Sequence, residues 1–191
     1  ELPDLGGLFQ IDITDLTNAF ASVVLAFMLV GVGCFVVAAV LRLRAEEAQG
    51  RVAAVVVTGT SRPRLLAGWL AVVAAEAVAM ALLVGLGAGV GVWSGSGDPA
   101  WVGRLVLASL VYLPAIALLA ALAVALVGVA PRAAVWAWLP VGWGAFVLFL
   151  GGLVDVPEWS RALSPFDHTP LVPQESVAAG PLAAMATLAA V

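Results

Sequence analysis

Few side chains in this sequence could do chemistry, and they are unevenly placed. Five of its eight arginines and two of its glutamates fall within Leu41–Leu66, LRLRAEEAQGRVAAVVVTGTSRPRLL. Glu76 is the only acidic residue deep inside an apolar run, His168 is the single histidine, and Cys34 is the single cysteine. One histidine cannot build a metal site by itself, and one cysteine gives neither a disulfide nor a cysteine cluster. The chain has no lysine, which excludes the phosphate-cradling G-x-x-x-x-G-K-S/T loop. The stretch VGLGAGVGVW, with Gly85, Gly87, Gly89 and Gly91, lacks that lysine and a preceding strand. As two overlapping GxxxG pairs it suits close helix packing instead. A net charge of −4 without a basic surface stretch argues against nucleic-acid binding.

The elements that must position these residues follow from hydropathy. Apolar residues make up 63% of the chain, charged ones 10%, and the mean hydropathy is +1.13. Apolar runs of about 20 residues match the ~30 Å hydrocarbon core at 1.5 Å per helical residue. Helices satisfy their own backbone hydrogen bonds in lipid, and the ~10-residue alternating segments of a barrel do not occur. The expectation is an all-α, polytopic helical membrane protein. Its complete spans are read at 19–41, 65–93, 105–129 and 133–154, after an opening loop at 1–18. An outer segment at 155–176 follows, and the run from 177 is still apolar at Val191, as a truncated fifth span. The chain starts without methionine and is read as a fragment. Six arginines border one side of these spans and two, Arg104 and Arg161, the other. The richer side is assigned to the cytoplasm, with loops 1–18 and 155–176 external.

The charged insert at 42–64 has a pattern of its own. Ala45, Ala48, Val52 and Val55 recur at helical spacing, while Glu46, Glu47, Gln49 and Arg51 take other faces. Glu47 and Arg51 stand four apart, in the order that favours a helix. Thr58-Gly59-Thr60 breaks the pattern, Ser61 suits an N-cap, and Pro63 suits the first turn of the next helix. The pattern predicts a short amphipathic helix along the inner membrane surface, then a capped turn into the second span. The competing reading is a polar loop with interfacial arginines.

Other residues carry alternatives too. An ionisable group within a span costs at least about 2.5 kcal/mol, so Glu76 is expected to face protein or a water-filled cavity. It is either a polar contact or protonatable switch on a substrate path, or an inter-helix hydrogen-bonding group. Pro114 is expected to kink the third span. Trp93, Trp101, Trp136, Trp138 and Trp159 lie near span ends and read as interfacial anchors. Pro157, Pro165, Pro170 and Pro173 surround a short helix in the outer segment, which reads as a cap or outer gate. His168 there reads as a structural hydrogen-bonding residue.

A span followed by RAEEAQGRVAAVVVTGTSRPRLLAGWL resembles the permease subunits of type-2 ATP-binding-cassette exporters. In those proteins an acidic pair, a glycine, a Thr-containing hydrophobic stretch and a Ser-Arg pair lead into the next span. The chain looks most like actinobacterial multidrug and polyketide-antibiotic exporters, and LSPFDHTPLVP, Leu163–Pro173, is similar to that group's segment before the last span. The resemblance implies that the insert is a coupling helix docking on a cytoplasmic ATP-binding-cassette ATPase. Its contact residues, carried over by position, are Glu46, Glu47, Gly50, Arg51, Thr58, Ser61 and Arg62. Val55-Val56-Val57 departs from the leucines common in relatives.

The resemblance also implies one span before Glu1 and a sixth cut at Val191, within a six- or twelve-span protein. The implied function is extrusion of hydrophobic drugs or polyketide antibiotics by alternating access across a bacterial cell membrane. No catalytic residue and no cofactor belong to this chain in that reading. ATP and Mg sit on the partner ATPase, and the other partners are the remaining spans or a second permease half, the lipid bilayer and a hydrophobic small molecule. An ion-coupled secondary transporter using Glu76 and a non-transporting membrane scaffold are the alternatives.

Overall fold

Hydropathy dictates where the long helices run; glycine, proline and capping groups dictate where they stop. The computed structural model describes residues 13–50, 52, 57, 59, 61–154, 156–173 and 179–190. Among the described residues every regular element is helical: α1 (Ile13–Ala48), α2 (Arg62–Ser96), α3 (Ala100–Leu110) and α4 (Leu113–Val129). A 3₁₀ helix (Pro131–Ala137) follows, then α5 (Trp138–Leu150), α6 (Glu158–Arg161) and α7 (Ala179–Ala190). Four stretches of the described residues are long and apolar enough to cross a membrane: Leu16–Ala48, Arg62–Ser96, Ala100–Val129 and Pro131–Leu150. The expected all-α polytopic membrane fold is therefore what the chain adopts.

Helix α1 is the axis of the bundle. Leu25, Leu29, Val32, Val36 and Val40 recur at spacings of three and four and are fully buried against its neighbours. Phe20, Phe27 and Phe35 lie on the other face and stay exposed. Helices α2, α4 and α5 pack around α1, and α7 lies along α4.

α2 and α3 form a tight antiparallel hairpin. Gly97 closes α2 in the left-handed conformation (φ 75°), where a β-carbon would be strained, and its N–H donates to the Trp93 carbonyl at 2.8 Å. The Asp98 carboxylate then accepts the Ala100 N–H at 2.9 Å and opens α3. Along the hairpin a β-carbon at Gly85 would stand 2.7 Å from the Val106 Cα, and one at Gly89 2.6 Å from the Val102 Cα. Gly87 and Gly91 meet nothing. One of the two GxxxG pairs thus brings the backbones together, and the other lies on α2's open side.

The hydrogen-bond ladder of the third span is interrupted just before Pro114. α3 ends at Leu110 and α4 starts at Leu113, with the Val111 and Tyr112 amides bonding three residues back to Ala108 and Ser109. Proline has no amide to continue the ladder across this break. Trp101 departs from expectation, because it is buried at 4% exposure rather than placed at an interface. The close glycine contact of the hairpin draws the start of α3 inward, and the Arg104 guanidinium lies 5.5 Å from the Trp101 ring centroid. Trp93, Trp136, Trp138 and Trp159 are exposed, as interfacial anchoring requires.

The proline-rich segment at 156–173 does more than cover one end. Ser22 near the start of α1 donates to the Leu171 carbonyl at 3.3 Å, whereas the Phe166 ring reaches Gly33, eleven residues further along α1. That separation is about 16 Å along a helix, so the segment dips well into the bundle. Gly144 on α5 makes room: a β-carbon there would stand 2.7 Å from the Phe166 ring. Non-helical backbone at such depth must be enclosed by protein and bonded internally. Ser164, Phe166 and Thr169 are buried. The Thr169 amide bonds the Phe166 carbonyl at 3.1 Å, and its hydroxyl bonds the Pro165 carbonyl at 3.2 Å. His168 Nε2 is 2.9 Å from the Ala162 carbonyl, and Trp143 Nε1 donates to the Ser160 carbonyl at 2.8 Å. Arg161 Nη2 donates to the Gly151 carbonyl at the end of α5, where a cation also suits the helix dipole.

Candidate functional site

The arginine-rich end of the bundle is built by helix propensity rather than by the charge boundary. Leu41 to Ala48 contains only good helix formers, and nothing stops the helix before Gly50. α1 therefore continues through Glu46 and Glu47, which belong to its last turns and not to a separate surface helix that begins at Ala45. Gly50 ends the helical path with φ 76°, its amide donating to the Glu47 carbonyl at 3.0 Å. Val52 and Val57 are helical; Arg51 and Thr58, two of the residues implied to contact an ATPase, lie outside the described residues.

Among the described residues, two ion pairs organise this end. Arg42 Nε lies 3.9 Å from a Glu46 carboxylate oxygen one turn on, and Arg62 Nη1 lies 3.8 Å from Glu47 across the reversal. Both are long and at least partly exposed, so each contributes at most about 1 kcal/mol. Their value is positional: Glu47–Arg62 joins the last turn of α1 to the first of α2. Ser61 occupies the expected N-cap position in extended conformation, with Pro63 in the first turn, but its hydroxyl makes no capping bond. Deeper, Trp69 Nε1 donates to the Ala39 carbonyl at 3.0 Å and fixes α2 to α1 again. A cavity of about 470 Å³ runs from Glu47 and Arg62 to Val127, Gly128 and Pro131, where α4 turns into the 3₁₀ helix. Of the residues implied by the resemblance, the structure brings Glu47 and Arg62 into contact and leaves Gly50 and Ser61 exposed beside them.

Glu76 lies elsewhere. α2 buries Val73, Ala77, Ala81, Gly85 and Gly89, and Glu76 falls to the side of that stripe. Its carboxylate has no hydrogen-bond or ion-pair partner among the described residues, and it lines a groove of about 1020 Å³ between α1 and α2. Phe35, Trp69 and Val72 form the apolar wall, and Arg42 and Arg64 stand at the far mouth. The sequence contained both arginines and Glu76 but no sign that one groove would join them. Only the antiparallel pairing of α1 and α2 does so. The role of Phe166 as an inserted wedge was equally hidden, its sole signals being Gly33 and Gly144, more than a hundred residues apart.

Fold and site together define a multi-pass helical membrane protein whose charged groups sit at helix junctions and along one groove. The chain belongs to the family described as "Multidrug efflux system permease Rv1217c, C-terminal domain", whose model matches residues 7–191. It is 35% identical over 174 residues to the "Multidrug efflux system permease protein Rv1217c" of Mycobacterium tuberculosis (strain ATCC 25618 / H37Rv). That likeness covers 85% of this chain and 30% of the relative, so the chain spans less than a third of the relative's length.

Proposed function

We propose that this chain forms part of the membrane subunit of an ATP-driven exporter, extruding hydrophobic drugs or polyketide antibiotics across a bacterial cell membrane. The energy comes from ATP and Mg bound to a separate ATP-binding-cassette ATPase, and no catalytic step occurs in this chain. The arginine-rich end faces the cytoplasm, in keeping with the positive-inside rule. The ATPase docks there on Glu46, Glu47, Gly50, Arg51, Thr58, Ser61 and Arg62, and further spans or a second permease half complete the path.

The observation that carries this reading is the Glu47–Arg62 contact at 3.8 Å. A partner seated on that junction pushes on the last turn of α1 and the first of α2 together. The Trp69–Ala39 bond a few turns deeper keeps the two helices moving as one body. Docking at this point therefore delivers force to the bundle's central helix, which packs on α2, α4 and α5. The intact permease, purified with its genome-neighbour ATPase and placed in vesicles, should show ATP-dependent drug movement. Movement driven by a proton gradient without an ATPase would overturn the reading.

One observation favours an ion-coupled secondary transporter: Glu76 lines a groove at membrane depth with no partner among the described residues. In that reading Glu76→Gln abolishes drug movement while the protein still assembles. In the ATP-driven reading Glu76→Gln and Glu76→Leu are both mild, because the carboxylate has no partner among the described residues to lose.

A further inference from the structure

The groove between α1 and α2 has two chemically distinct parts. At the arginine-rich mouth stand Arg42, Arg64 and Glu46, a local charge of one positive unit. Arg64 has no carboxylate partner among the described residues, and Arg42 Nε stands 3.9 Å from Glu46, beyond hydrogen-bond distance. Both guanidiniums therefore keep donors for another ligand. Beyond the mouth the wall is Phe35, Ala38, Val72 and Val73, with no charge until Glu76. A small soluble anion would gain nothing from that wall, and a neutral hydrocarbon nothing from the guanidiniums. The matching ligand is an anionic amphiphile.

Length and position identify the amphiphile. Arg64 and Glu76 are twelve residues apart on one helix, about 18 Å. Half of a ~30 Å hydrocarbon core is about 15 Å, the depth of one leaflet. The charged mouth lies at the end of the apolar stretches, where lipid headgroups are. Guanidinium groups bind phosphate with two parallel hydrogen bonds, and basic pockets between membrane helices are a recurrent headgroup site. We propose that this groove binds one anionic phospholipid from the leaflet at the arginine-rich end. Its phosphate sits between Arg42 and Arg64, and its acyl chain lies along Phe35 and Val72, short of Glu76. Bound there, the lipid spans the joint between α1 and α2 that Trp69 fastens from the inside. The site does not depend on how transport is powered.

The test uses the intact permease in detergent, incubated with phosphatidylglycerol or phosphatidylcholine and examined by native mass spectrometry. Wild type should retain phosphatidylglycerol in preference to phosphatidylcholine. Arg42→Gln with Arg64→Gln should lower phosphatidylglycerol retention about 25-fold, at roughly fivefold per arginine, and leave phosphatidylcholine unchanged. Val72→Trp fills the apolar wall without altering charge and should lower phosphatidylglycerol retention too, which keeps the test decisive if the double variant does not assemble. Arg104→Gln, at the other end of the bundle, should change nothing. Equal retention of the two lipids by wild type would overturn the proposal. So would undiminished phosphatidylglycerol retention in Val72→Trp, or exclusion of lipid because another protein segment fills the groove.

Discussion

Gly85 and Gly87 stand two positions apart on α2, yet they face opposite fates. A β-carbon at Gly85 would meet the Val106 Cα and the Leu105 carbonyl, backbone atoms that cannot move aside cheaply, whereas one at Gly87 would meet nothing. Gly85→Ala should therefore cost about 1–3 kcal/mol through overpacking, and Gly89→Ala should behave alike. Gly87→Ala and Gly91→Ala should be neutral or slightly stabilising, since alanine is the better helix former. Thermal unfolding of the four variants in detergent checks this contrast. Equal effects at all four positions would refute the hairpin packing. The sequence revealed the glycine repeat but not which pair was used, because that choice depends on the α3 residues opposite. The same limit applied to Trp101: proximity to a span end suggested an anchor, and the tightness of the hairpin buried it.

Elements were legible wherever a single helix's own residues decide its course. The four membrane-length helices follow from hydropathy, and the break before Leu113 follows from Pro114. Less legible was the end of α1, because arginine and glutamate signal a membrane boundary without stopping a helix. Glycine at position 50 stops it, some nine residues past the apolar run. The segment at 156–173 was legible as a short helix among prolines but not as an inserted element. Its depth depends on Gly144, whose missing side chain leaves space for the Phe166 ring beside Gly33. Phe166→Ala should empty that space at a cost of about 3–5 kcal/mol. A cysteine placed at buried Ser164 should then react with a water-soluble maleimide much faster than in the parent. Unchanged protection of that cysteine would show that Phe166 does not hold the segment down.

On the scale of the whole molecule, the two ends of the bundle differ. The Gly97 end is a closed hairpin turn, and the end carrying Glu46, Glu47 and Arg62, where Glu47 and Arg62 pair, is the one proposed to meet the ATPase. Cysteines at Gln49 and Gly97 should label from opposite sides of the membrane, Gln49 from the cytoplasm; labelling of both from one side would overturn the span count. Docking of an ATPase on the proposed cytoplasmic junction of α1 and α2 can be tested with one double substitution. Glu46→Arg with Glu47→Arg keeps helix propensity and strengthens the positive-inside signal, so membrane insertion should persist. It also places like charge beside Arg42 and Arg62 and removes both carboxylates from the docking surface, where such changes can cost several kcal/mol of binding. Co-purification of the ATPase with this variant, at matched membrane levels, is the measurement. Loss of the ATPase and of ATP-dependent export is expected; an intact complex with normal export would contradict docking at this junction.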